Sequence, residues 1–159
     1  MSFTRIRKTV LDNLVTEIKA LKHYDGSNSV FNDVQRIYLD FPELLPSAQI
    51  VPIGLNIDSE MIDFDNRELK FALIVYENIE ADATQATIDL KVDRLCDIED
   101  VIARYIEQVP NNVGIVSGVR IYKTTVSNGR WTFEQGNNGM MLYLVIEFSC
   151  FTQLTVKDL

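Results

Sequence analysis

Two stretches of this chain carry apolar residues on both faces of an alternating pattern, and together they dictate a sheet. In residues 68–77, Leu69, Phe71, Leu73 and Val75 take one side and Ala72, Ile74 and Tyr76 the other. A strand apolar on both sides is expected inside a sheet or under cover on two faces. In residues 140–151, Leu142, Leu144, Ile146 and Phe148 share one face. Met141, Tyr143, Val145 and Phe151 line the opposite face, with Glu147 and Ser149 between them.

Two helical stripes are available to cover such strands. Phe3, Ile6, Val10, Leu14, Ile18 and Leu21 recur every three or four residues and predict an amphipathic helix over roughly 3–22. Ser2 and Thr4 are its capping candidates, and the turn formers Gly26 and Asn28 stop it. Ile88, Val92, Leu95, Ile98, Ile102, Tyr105 and Val109 predict a long helix over roughly 84–109, capped by Asp82 or Thr84 and closed by Pro110 with Asn111 and Asn112.

The rest is read by exclusion and by turn chemistry. Residues 30–39 fit a short strand or a helical turn, and Pro42 and Pro46 prevent a regular element. Residues 49–57 read as an edge segment, because Pro52 lacks a ladder donor. Residues 58–67 read as a polar turn or exposed loop. Gly114 and Gly118 mark bends in a weak strand over 113–126, and Ser127-Asn128-Gly129 is a hairpin signal, with Trp131 and Phe133 on the return strand. A second turn falls at 135–139, and 152–159 reads as a flexible tail. The expected architecture is one α+β domain over 1–159, a mainly antiparallel β-sheet packed against two amphipathic α-helices. A doubly wound nucleotide-binding fold would need regular βαβ repeats and a Gly-rich first turn, and neither is present.

The chain has 159 residues, 47% apolar and 24% charged, with a net charge of -8. That acidity disfavours a phosphate backbone as partner. The cysteines, Cys96 and Cys150, form no CxxC and read as buried free thiols in a reducing compartment. The N-terminal mixture of charged and apolar residues is unlike a signal peptide, and no run is long enough for a membrane span.

No catalytic, cofactor-binding or metal-ligating constellation emerges. The single histidine, His23, falls at the expected end of the first helix, where a cation suits the helix dipole. Asp58, Glu60, Asp63 and Asp65 are superficially similar to a calcium loop, but the obligatory Gly and terminal Glu are missing. Asp89, Asp93 and Asp97 recur every four residues of the long helix, beside Glu99 and Asp100. They share a face and repel one another unless partners such as Arg94 or Arg104 intervene. That face reads as wet surface or as a charged contact for another subunit. Trp131 and Phe133 could stack on a base, but the charge favours protein.

The order of pieces resembles one family. An opening helix RIRKTVLDNLVTEIKALK precedes the proline-bearing segment FPELLPSAQIVPIG. The strand ELKFALIVYEN leads into the helix DLKVDRLCDIEDVIARYIEQV, and GVRIYKTTVSNGRWTF and MMLYLVIEFSCFTQL close the chain. This order is similar to that of the tail terminator, or tail completion, proteins of tailed bacteriophages, and the resemblance covers most of the chain. It implies a small α+β wedge that forms a homohexameric ring, caps the tail tube, ends its polymerisation and offers a head-attachment surface. The implied partners are further copies of the chain, the tail tube protein and a head-tail connector or neck protein, with DNA transiting the ring without specific binding. The implied location is the virion, and the host cytoplasm during assembly. Other phage neck, baseplate adaptor or head completion proteins fit the same architecture. Outside phages, a protein-binding adaptor domain or a small enzyme remains open. The surfaces expected to make contacts are the basic cluster Arg5, Arg7 and Lys8, which would meet an acidic helix face at Asp93 and Asp97, and the aromatic pair Trp131 and Phe133. The loop 58–67 is a candidate for a second partner.

Overall fold

A computed structural model describes residues 5–23, 26, 28–37, 42, 44–58, 64–136 and 138–155, with the backbone alone at 58, 64 and 155. The elements in order are α1 (Ile6–Lys19), β1 (Asp33–Gln35), β2 (Ser47–Asp58), β3 (Phe64–Glu80), α2 (Gln85–Asn112), β4 (Ile115–Val116), β5 (Val119–Gly136) and β6 (Gly139–Thr155). They build the α+β fold expected from the sequence. One six-stranded sheet runs in the order β1-β2-β3-β6-β5-β4. Among the described strands only the β1–β2 pair is parallel.

The doubly apolar strands are neighbours at the centre. β3 pairs with β6 along the full length of both, from Phe64 opposite Thr155 to Glu80 opposite Gly139. Cross-strand partners share a face, so Leu69, Phe71, Leu73 and Val75 join Leu142, Leu144, Ile146, Phe148 and Cys150 on one buried side. Phe71 and Phe148 meet there with ring centroids 5.6 Å apart. Both helices cover this side. α1 brings Ile6, Val10, Leu11, Leu14 and Ile18, and α2 brings Leu95, Ile98, Val101, Ile102, Tyr105, Ile106 and Val109. Because α1 touches β1 and β2 at one edge and β4 at the other, the sheet curls into a half-barrel around the helices. Among the described residues no helix lies over the opposite face, and Ile74, Tyr76, Tyr143 and Val145 are half-exposed there. Position at the centre of the sheet thus accounts for β3's apolar pattern without a second covering layer.

Several expectations are corrected. Ser127-Asn128-Gly129 makes no hairpin; β5 runs straight through it. A shift of register between Val126 and Asn128 absorbs the extra residue, and Ser127 Oγ donates to Glu147 O at 3.1 Å. A turn there would detach Trp131 and Phe133 from Leu144 and Leu142, so the long ladder on β6 outweighs local turn propensity. The tight two-residue turn lies instead at Ser117 and Gly118, between β4 and β5, with φ of 47° and 82°. Positive φ at both central positions is what a type I′ hairpin requires. The turn expected at 135–139 does join β5 to β6.

Pro110 does not close the second helix, which continues to Asn112. A proline deprives the carbonyl four residues earlier of its N–H partner. That carbonyl, Ile106 O, accepts instead from Thr124 Oγ1 of β5 at 2.5 Å. Thr84 is the cap, its hydroxyl accepting from Thr87 N at 3.3 Å. At α1 the cap position falls on Arg5 without a side-chain bond, and Ser2 and Thr4 lie outside the described residues. The loop 58–67 shrinks, since Asn66 and Arg67 are strand residues and Asn66 is buried. Residues 59–63 lie outside the described part. The expected tail begins inside β6, where Thr152 and Leu154 are buried. Cys150 is buried as expected, but Cys96 is exposed.

Four outcomes test this packing. Replacing Thr124 with Val should cost about 1–3 kcal/mol by orphaning Ile106 O, read in urea unfolding. A Cβ at Gly139, whose φ is 134°, would lie 2.1 Å from Ile79 O, so Gly139→Ala should lower Tm. Burial pushes the Cys150 thiol up to about 12 from 9.0, and the Tyr105 hydroxyl upward too, chiefly by burial, then by Glu17 and Cys150. Both groups fold neutral, so their contribution to stability is complete below pH ~9 and falls as pH rises through the folded values. Native protein at pH 8 should react with a thiol reagent once, at Cys96, and twice after unfolding.

Candidate interaction surfaces

The sheet has two edges, and most of each lacks a strand partner among the described residues. β1 covers β2 only from Ser47 to Gln49, which leaves 50–58 uncovered. β4 covers β5 only at Val119 and Arg120, and Ile121 N donates to Gly114 O at 2.7 Å, which leaves 122–136. Bare ladder groups recruit further strands unless something blocks them.

At the β2 edge part of the run is blocked. Pro52 has no N–H to offer, and the register shifts between Pro52 and Gly54. Arg7 of α1 donates its guanidinium to Gly54 O. Beyond that point Leu55 lies opposite Leu69, and Ile57 opposite Arg67. Both side chains therefore share the helix-covered side, yet Leu55 is 41% and Ile57 60% exposed. The covering layer ends before it reaches them.

The β5 edge has the same property. Val126 and Phe133 lie opposite the buried Phe148 and Leu142, but they are 44% and 61% exposed. Trp131, between them, is half-buried, and its Nε1 donates to Glu99 of α2 at 3.2 Å. Trp131, Phe133 and Leu142 line an apolar notch of about 210 Å³ with Val92, Leu95 and Cys96. No residue of α2 before Leu95 is buried, so its first turns project past the core, with Leu90 70% exposed. Lys91 holds them to the sheet, donating to Asn78 O at 2.6 Å and lying 3.6 Å from the buried Glu77 carboxylate. Glu77 Oε1 also accepts from Asn78 N, while its Oε2 has no partner.

The residues expected to make contacts thus fall into two groups on opposite sides. Arg5, Arg7 and Lys8 stand at the β2 side. Arg7 is engaged on Gly54, Lys8 pairs with Asp12 at 2.6 Å, and Arg5 is exposed. Asp93 and Asp97 are exposed on α2, and among the described residues neither has an ion-pair partner. They lie on the same stretch of α2 as the notch that Trp131 and Phe133 line. The basic cluster and the acidic helix face do not meet within one chain. Sequence reasoning did not single out Leu55 and Ile57; their two-residue spacing in a segment already read as an edge strand was the available signal.

The uncovered sheet face carries a polar network. Glu68 accepts from Asn56 at 2.8 Å and from Ser149 at 2.9 Å. These bonds, Asn56's foremost, with Lys70 and Lys123 beyond, hold its carboxyl below the usual range against the opposing effect of burial. It is a fixed acceptor rather than a proton donor at neutral pH. His23 sits in a turn after α1, its backbone N–H bonded to Asn28 O at 3.0 Å. Asp65, from the calcium-like series, grips Arg67 through two bonds of 2.8 Å. Among the described residues no group of three His, Cys, Asp or Glu side chains is placed to hold a metal, and no helix is long and apolar enough to cross a membrane.

No protein-family model matches the chain, and no curated protein matches it in sequence.

Truncation should separate the two aromatics. Trp131→Ala should destabilise the fold by about 1–3 kcal/mol, since Trp131 packs on α2, whereas Phe133→Ala should stay within about 0.5 kcal/mol. Equal losses in chemical denaturation would contradict this division.

Proposed function

We propose that this chain is a structural subunit that assembles head-to-tail into a closed ring, as the resemblance to phage tail terminator proteins implies. The observation that supports this most is the presence of two different uncovered apolar edges on opposite sides of one sheet. A contact between unlike patches is heterologous, and it closes into a ring when its rotation divides a full turn without a rise along the axis. A surface that met its own copy would produce a dimer instead.

In this reading the ring caps the tail tube, ends its growth and presents a surface to a neck or connector protein. DNA passes through without specific binding, in keeping with a net charge of -8. The protein would then belong to the virion and assemble in the host cytoplasm.

Light scattering over a concentration series tests the proposal. A discrete closed oligomer, hexameric by the resemblance, with an annular outline in electron micrographs, is the expected result. A concentration-independent monomer that also fails to bind purified tail tubes would overturn it.

A further inference from the structure

We infer that neighbouring copies join by continuing the sheet, the β5 edge of one taking the β2 edge of the next. The inference rests on the ring reading and specifies its contact. Three antiparallel pairings separate β2 from β5, so the two edge strands run in opposite directions. A neighbour presented in the same orientation therefore offers β5 an antiparallel strand. Strand addition of this kind satisfies bare ladder groups and leaves specificity to alternate side chains.

The side chains agree with that geometry. Leu55 and Ile57 on β2, and Val126 and Phe133 on β5, all lie on the helix-covered side and all emerge from under it. Joining the edges places these four on one face. Leu55 lies level with Leu69, and Phe133 level with Glu77, eight positions further along β3. The neighbour is therefore shifted along the strands so that Leu55 and Ile57 come beside the notch between Trp131 and α2, and the core runs on through the contact. Pro52, the register shift and the Arg7 bond to Gly54 limit β2's free run to 55–58. A short donor of this length sets one register and guards against open-ended pairing.

Charge points the same way. Arg7 fixes the start of α1 beside Gly54, so the exposed Arg5 and Lys8 flank the β2 edge. Asp93 and Asp97 flank the notch at the β5 edge. Head-to-tail pairing brings a basic flank to an acidic one, whereas like edges would set like charges together.

Two edge variants test the inference by mixing. Leu55→Asp with Ile57→Asp breaks the β2 edge and leaves β5 intact, and Phe133→Asp does the reverse. All three sites are exposed, so circular dichroism should remain that of the wild type. Each variant alone should be monomeric under conditions where the wild type assembles. An equimolar mixture should give a one-to-one dimer and nothing larger, because it retains a single good contact. Wild-type assembly by either variant, or a mixture that stays monomeric, would overturn this contact while leaving the ring reading standing. A wild type that never assembles would overturn both.

Discussion

The ladder between β3 and β6 is the constraint on which everything else depends. Each strand has 17 residues, paired from end to end without a bulge. That length fixes which side chains share a face over the whole molecule, because a slip of one residue would invert every one of them. Phe71 on Phe148, Leu73 beside Ile146 and Val75 beside Leu144 make the inverted register prohibitive. The same ladder carries β5, whose two irregularities adjust it to β6 rather than ending it. α2 departs from the far end of β3, which is why its first turns overhang the core and why Lys91 can reach back to Glu77 and Asn78.

The elements legible in the sequence were those whose signal comes from burial. The doubly apolar pattern of 68–77 became the central strand, and the stripe from Leu95 to Val109 became the buried face of α2. Thr84 capped where capping chemistry placed it. Signals from local propensity fared worse wherever a distant partner intervened. Pro110 was overridden because Thr124, on another strand, supplied the bond that proline denied to Ile106. Ser127-Asn128-Gly129 was overridden because β6 held both flanks of the would-be turn.

The candidate contact surfaces were legible only in part. Trp131 and Phe133 stood out as exposed-looking aromatics, but pairing register decides that Trp131 serves α2 while Phe133 emerges at the edge. The basic cluster and the acidic helix face were visible as composition. Their placement at opposite edges required the topology. Leu55 and Ile57 resemble ordinary core residues in sequence, and their exposure follows from where the helices stop. A curved sheet covered on one face, with uncovered apolar side chains emerging at both edges, leaves part of its core unfinished within a single copy.

Amide hydrogen exchange on wild-type protein, dilute and concentrated, addresses that claim most directly. The account predicts that concentrated protein protects amides in 55–58 and in the short part of 122–136 that pairs with them, while the exchange of β3 and β6 amides stays unchanged. Assembled protein in which both edges exchange as fast as in dilute solution would contradict it, since copies would then meet elsewhere.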